Sequence, residues 1–161
     1  MQAPQDWQRQ CMGALKLSSD ADDDEVLRLL ALPGADLSAD PTGVLFRGGD
    51  NAGEHLARRC AYYGRTRVLL WLIEQGVDLH AVDRVTRSTA ALFAAQAGSF
   101  EALRCIVELE GVEALRAVAS DGGWTCAHYA MVKGNLLMLQ WIRRRRASRR
   151  CAWQPEVAPR P

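Results

Sequence analysis

Apolar residues cluster at helical spacing in three similar runs of this chain: GRTRVLLWLIEQGVDLHAVD from Gly64, GSFEALRCIVELEG from Gly98 and GNLLMLQWIRR from Gly134. The spacing predicts a short amphipathic helix in each. Val68, Leu69, Trp71, Leu72 and Ile73 mark the expected apolar face in the first run. Leu103, Cys105, Ile106 and Val107 mark it in the second, and Leu136, Leu137, Leu139, Trp141 and Ile142 in the third. The opening glycines stand 34 and 36 residues apart, a period that points to stacked repeats. A weaker copy, DEVLRLLALPGADLSAD, begins at Asp24.

Ahead of each glycine lies a second helical stretch rich in small residues: HLARRCAYYG, TAALFAAQAG and TCAHYAMVKG. Small side chains allow close helix approach, and the glycine that follows suits a left-handed helix end. Turn-forming pieces separate the units: GGDNAG, VDRVTRS and ASDGG. Helix, tight turn, helix and projecting turn therefore repeat about every 34 residues. The expected class is all-α, with β-strand content near zero.

These residues resemble the ankyrin repeat. The match is best from Gly64 to Asp83, where the register holds through the GVDLHAVD exit. DNAG and DGGWTCAH look like the family's turn and its Thr-Pro-Leu-His segment. The resemblance implies a solenoid of about four helix-turn-helix units with degenerate caps, near 5–40, 50–83, 84–119 and 120–142. Residues 143–161 then form an Arg-rich helix end and an extended, Pro-containing tail. The family's Pro is replaced by Leu56, Ala90 and Cys126, and its His survives only as His128, with Arg58 and Leu92 elsewhere. PTGVLFRGGD lengthens the first spacing and is expected to loop out. Extra length at EGVEALRAVAS is expected to distort a later turn.

A stack needs a polar outer side at each end. DADDDEVLRLL and WIRRRRASRR suit that role. Charge follows the same division. Residues 1–40 carry eight acids and three bases, and residues 143–161 carry seven Arg and one Glu, although the net charge is only +1.

Hydrophobic residues make up 48% of the 161 positions, enough for an ordinary core. No apolar run approaches the roughly 20 residues that span a bilayer. MQAPQDWQRQ has no basic region followed by an apolar one, so no signal peptide is expected. Cys11, Cys60, Cys105, Cys126 and Cys151 are odd in number and lack CxxC spacing. Reduced thiols in an intracellular, reducing compartment are expected, the cytoplasm by default.

Thr125, Cys126 and His128 invite a catalytic reading. Positions two apart on a helix diverge, so Cys126 and His128 make a poor nucleophile pair. The structural reading is the one that the resemblance implies: Thr125 caps the helix and His128 ties the turn to the next unit. His55, His80 and His128 fall in different units, without metal-ligand spacing. No catalytic, cofactor or metal residues are expected.

The resemblance implies instead a concave binding groove of turn tips and first helices. Its protein-binding candidates here are Glu54, Tyr62, Tyr63, Ser88, Gln96, Trp124, Val132 and Lys133, with Asn51, Val85, Thr86 and Asp121 beside them. Tyr and Trp are frequent interface anchors; packing over neighbouring turns is the structural alternative. Arg143, Arg144, Arg145, Arg146, Arg149 and Arg150 are candidates for electrostatic docking. The cluster reads as a solvated helix end, a dock for an acidic surface, or a nucleic-acid contact. The expected function is non-catalytic protein binding, as an adaptor or as a subunit of a larger assembly. The alternative is nucleic-acid or acidic-surface binding through the Arg-rich segment.

Overall fold

The computed structural model describes residues 22–31, 52–83, 86–120 and 122–148. The expected first cap, the PTGVLFRGGD loop and the Pro-containing tail fall wholly or mostly outside them. Helix α1 spans Asp22–Leu30, α2 Ala52–Tyr63, α3 Thr66–Glu74, α4 Ala90–Ala97 and α5 Phe100–Glu110. A 3-10 turn at Val112–Arg116 precedes α6, Cys126–Val132, and α7, Leu136–Ser148. There is no strand among the described residues.

Small side chains decide the packing. Five of the eight residues of α4 are Ala, and Ala90, Ala91, Leu92, Ala94 and Ala95 are buried along it. With so little bulk on either side, α2 and α6 pack directly against it. α2, α4 and α6 form a close inner row. α3, α5 and α7 form a looser outer row behind it. The outer helices each bury one stripe: Val68, Leu69 and Leu72 on α3, and Ala102, Leu103, Ile106 and Val107 on α5. A buried Leu or Ile contributes about 1.5–3 kcal/mol.

The stripe on α7 differs from the expected one. Met138 and Ile142 enter the core, Leu139 and Trp141 are half-buried, and Leu136 and Leu137 point to solvent. A helix can present only one face to the row in front of it, and Met138 with Ile142, four apart, define that face. The last pair is accordingly less polar at its open side than expected.

Each inner helix ends at the same tight turn. Gly64, Gly98 and Gly134 hold φ of 72°, 81° and 64°, where a side chain would be strained. The residue after each glycine reaches back to the preceding pair. Arg65 Nη1 donates to Asp23 Oδ1 at 3.2 Å, both side chains buried. Ser99 Oγ donates to the Tyr62 carbonyl at 3.0 Å, and Asn135 Nδ2 to the Gly98 carbonyl at 3.4 Å. One sequence position thus supplies a tie between neighbours three times, with three chemistries.

The expected distortion after α5 takes a defined form. Residues 112–116 close a 3-10 turn that packs on both α5 and α7, burying Ala114 and Leu115. The two extra residues between Gly98 and Gly134 are absorbed here.

Candidate functional site

The C-terminal ends of the inner helices form a row. Tyr62 on α2, Gln96 on α4 and Val132 on α6 stand at equivalent positions, followed by Tyr63, Ala97 and Lys133. The ties at Ser99 and Asn135 fix the helix ends that carry them. Gln96, Val132 and Lys133 are exposed, and both tyrosines are half-buried. Tyr63 leans on the core. Tyr62 meets it edge-to-face, with ring centroids 5.2 Å apart.

Projecting turns lead into the opposite, N-terminal ends of the inner helices. Asp83 N–H donates to the Ser88 carbonyl at 3.0 Å, while Asp83 Oδ2 accepts from Thr86 N–H and Oγ1 at 2.7 and 2.8 Å. This closure folds Ser88 beneath the turn, so Ser88 is buried and does not join the row. The equivalent residue in the next pair, Trp124, stays at the surface, its ring 5.3 Å from Tyr129 and 6.2 Å from His128. Successive turns are also linked: Ser120 donates through N–H and Oγ to the Thr86 carbonyl, each at 3.0 Å. Glu54 lies in the first turn of α2, but its side chain falls outside the described residues, as do Asn51, Val85 and Asp121. Arg143 to Arg146 are exposed on α7; Arg149 and Arg150 lie beyond the described residues.

Thr125 and His128 bond to each other, and Cys126 is separate from both. Thr125 has the extended backbone of a helix cap, and His128 Nδ1 accepts its N–H at 3.1 Å. His128 therefore secures its own helix start, not the next unit as expected. Cys126 Sγ turns the other way and donates to the Ala91 carbonyl at 3.7 Å. Burial pushes its thiol pKa up to about 12, leaving no useful thiolate near neutrality. Burial also raises the Cys105 thiol. His55 is pushed down to about 3, first by burial and then by Arg59 and Arg58, with Asp83 opposing. Its Nε2 accepts from Arg59 Nε at 3.4 Å. His80 Nε2 lies 2.9 Å from Glu110 Oε2, which ties the turn after α3 to the end of α5. Among the described residues no three His, Cys, Asp or Glu side chains gather to hold a metal ion. No helix among them is long and apolar enough to cross a membrane.

A model of ankyrin repeats matches residues 57–148 as three copies. The chain belongs to the ankyrin-repeat family. No curated protein matches it. The all-helical stack agrees with the helical solenoid of that family. Ankyrin repeats are in general protein-protein interaction modules, not enzymes, and they bind other proteins. In this ankyrin chain Arg58 takes the family's His position and is buried, donating from Nη1 to the Ala81 carbonyl at 3.4 Å. Long-reach hydrogen bonding thus replaces the imidazole in that unit.

Sequence reading missed the exposure of Met131, Leu136 and Leu137, at 57%, 67% and 70%. Comparison between repeats carries a signal for Leu137, which stands where Glu101 is exposed, but not for Met131, where Ala61 and Ala95 are wholly buried, or Leu136, where Phe100 packs against the core.

Proposed function

We propose that this ankyrin-repeat chain is a non-catalytic adaptor or accessory subunit that binds a partner protein along its inner row. The observation that carries this reading is the recurrence of Tyr62, Gln96 and Val132 at one position of three tied helix ends. A surface so held meets a partner with little ordering cost. Tyr62 and Tyr63 supply aromatic anchors, Gln96 and Lys133 polar contacts, and Trp124 a ring at the opposite end of α6. Glu54 and Ser88 belong to the same sequence positions; Ser88 needs its turn to open before it can touch a partner. A multi-subunit assembly in a reducing compartment suits the thiols of Cys105 and Cys126, neither of which is in a disulfide.

A photo-crosslinking residue placed at Gln96 is expected to trap one stoichiometric protein. The same residue at Leu70, exposed on α3, is expected to trap none. Equal trapping at both positions would sink the reading. Tyr62→Ala with Tyr63→Ala is expected to abolish trapping while leaving the fold intact by circular dichroism. The alternative, nucleic-acid binding through Arg143 to Arg146, requires affinity that falls steeply with salt.

A further inference from the structure

The last turns of α7 contribute little to the core. Among the described side chains of this helix, Met138 and Ile142 are the buried ones. Arg143, Arg144, Arg145, Arg146 and Ala147, which follow, are all exposed, and Ser148 is the last residue of the helix. A helix end that buries so little is held mainly by its own hydrogen bonds, and a short segment of that kind is marginal in water. Arg143 and Arg146, three apart, add like-charge repulsion. Cations do suit a helix C-terminus, but the fold does not demand them. The other outer helices, α3 and α5, carry no basic residue in their last turns.

The sequence at this end is Arg145-Arg146-Ala147-Ser148. Of all Ser and Thr in the chain, Ser148 alone has arginines both two and three residues before it. Two guanidinium groups followed at that distance by a hydroxyl form a pattern that an acidic cleft reads on an extended chain. Each arginine makes a charge-assisted pair with cleft carboxylates, and this sets the hydroxyl in place for reaction. Reaching the extended form from Arg143 onward breaks no described core contact. Arg145 lies over the Trp141 ring, 5.3 Å from its centroid, an exposed stacking that unwinding releases. Thr86 and Thr89 follow a single arginine at the same distance, but neither is available. The Thr86 hydroxyl donates to Asp83 Oδ2 at 2.8 Å, and Thr89 is buried.

We propose that Ser148 is a phosphorylation site for an Arg-directed serine kinase, with ATP as the phosphoryl donor. The hydroxyl proton of Ser148 passes to the kinase's catalytic carboxylate. The Oγ–Pγ bond forms as the bond from Pγ to the β,γ-bridging oxygen breaks, and ADP leaves. Residues 143–161 carry seven Arg against one Glu, a balance of +6. A phosphate of about −1.5 to −2 lowers this to about +4. The new charge opposes the helix dipole, while Arg144 and Arg145, one turn back, attract it. The Arg-rich end thus has two charge states, whatever binds the inner row.

The test treats the full chain with ATP and the catalytic subunit of cyclic-AMP-dependent kinase as the Arg-directed probe, and locates phosphate by mass spectrometry. Ser148 is expected to take up phosphate, and Ser148→Ala to take up none. Arg145→Gln with Arg146→Gln is expected to lower kcat/KM by about tenfold or more, the scale of a lost charge-assisted contact. The chain and a synthetic peptide of residues 141–152 are expected to react within about threefold of each other, because the helix end opens at little cost. A chain about a hundredfold slower than the peptide would mean that the end stays shut, and overturns the proposal. Phosphate on Thr86 or Thr89 in place of Ser148 overturns it too. The protein isolated from its native source with phosphatases inhibited is expected to carry phosphate on Ser148. Its absence there overturns the proposal even where the probe kinase modifies the chain.

Discussion

Ala95 on α4 and Met131 on α6 hold the same place in successive helix pairs, yet Ala95 is wholly buried and Met131 is more than half exposed. Leu103 and Leu139 repeat the contrast on the outer helices, the first buried and the second half-buried. Val107 is buried, while Arg143 at the matching position is exposed. The difference lies in the neighbour. Each pair in a stack is covered by the next, so among the described residues the middle pair is closed on both sides and the last on one. Arg143 supplies a polar cap at one position, but Met131 and Ala127 leave the end only partly sealed.

The largest effect compares the tie at the first edge with those further along. Arg65 and Asp23 form a buried ion pair where later pairs use neutral hydrogen bonds. Removing one partner leaves a buried charge, so Arg65→Met is expected to cost about 3–5 kcal/mol in urea unfolding. Asn135→Ala is expected to cost about 1 kcal/mol. Equal costs would erase the distinction between the edges. Next comes the core contrast. Leu103→Ala is expected to lose about 3 kcal/mol and Leu139→Ala about 1 kcal/mol, because the latter already touches solvent. A larger loss at Leu139 would mean that the end is sealed in solution.

Acid provides a separate lever, confined to the first inner helix. The folded pKa of His55 lies at about 3, below its ordinary 6.5, so the unfolded chain takes up this proton first. The stability contributed by neutral His55 is therefore complete above 6.5 and is lost as pH falls toward 3. His55→Gln is expected to flatten that part of the urea-midpoint profile, and an unchanged slope would count against the assignment. The smallest effect is at Met131 itself. Met131→Ser is expected to shift the midpoint by less than about 0.5 kcal/mol, against a clear loss for Ala95→Asp. Hydrogen exchange is expected to be faster in α6 and α7 than in α4 and α5.

The repeat was legible because its signals are local: helical spacing, the glycine of each tight turn, and Thr at the helix starts. The stripes of α3 and α5 followed from the same periodicity. Leu136 and Leu137 did not, since a leucine about to be covered and one left bare look alike within a single window. Alignment of one repeat on another marks Leu137, at the place of exposed Glu101, but not Leu136, at the place of Phe100. Ser88 and Trp124 make the same point about the candidate surface. They are equivalent in sequence and both turns close by the same backbone hydrogen bond, from Asp83 N–H to the Ser88 carbonyl and from Ala119 N–H to the Trp124 carbonyl; the small serine is buried there, while the large indole stays at the surface. Arg58 reads as a departure from the family pattern, but its long side chain reaches the Ala81 carbonyl from the position of a histidine.

The ties that follow each glycine join a pair only to its predecessor. Load applied between the two ends of such a chain is carried in series, link by link. Arg65 and Ser99 tie the earlier pairs, and α6 and α7 are held by Asn135, the Cys126–Ala91 contact, the Ser120–Thr86 link and the packing of α6 on α4. A pulling force would thus be met one interface at a time, and the stack can be no stronger than the weakest of them.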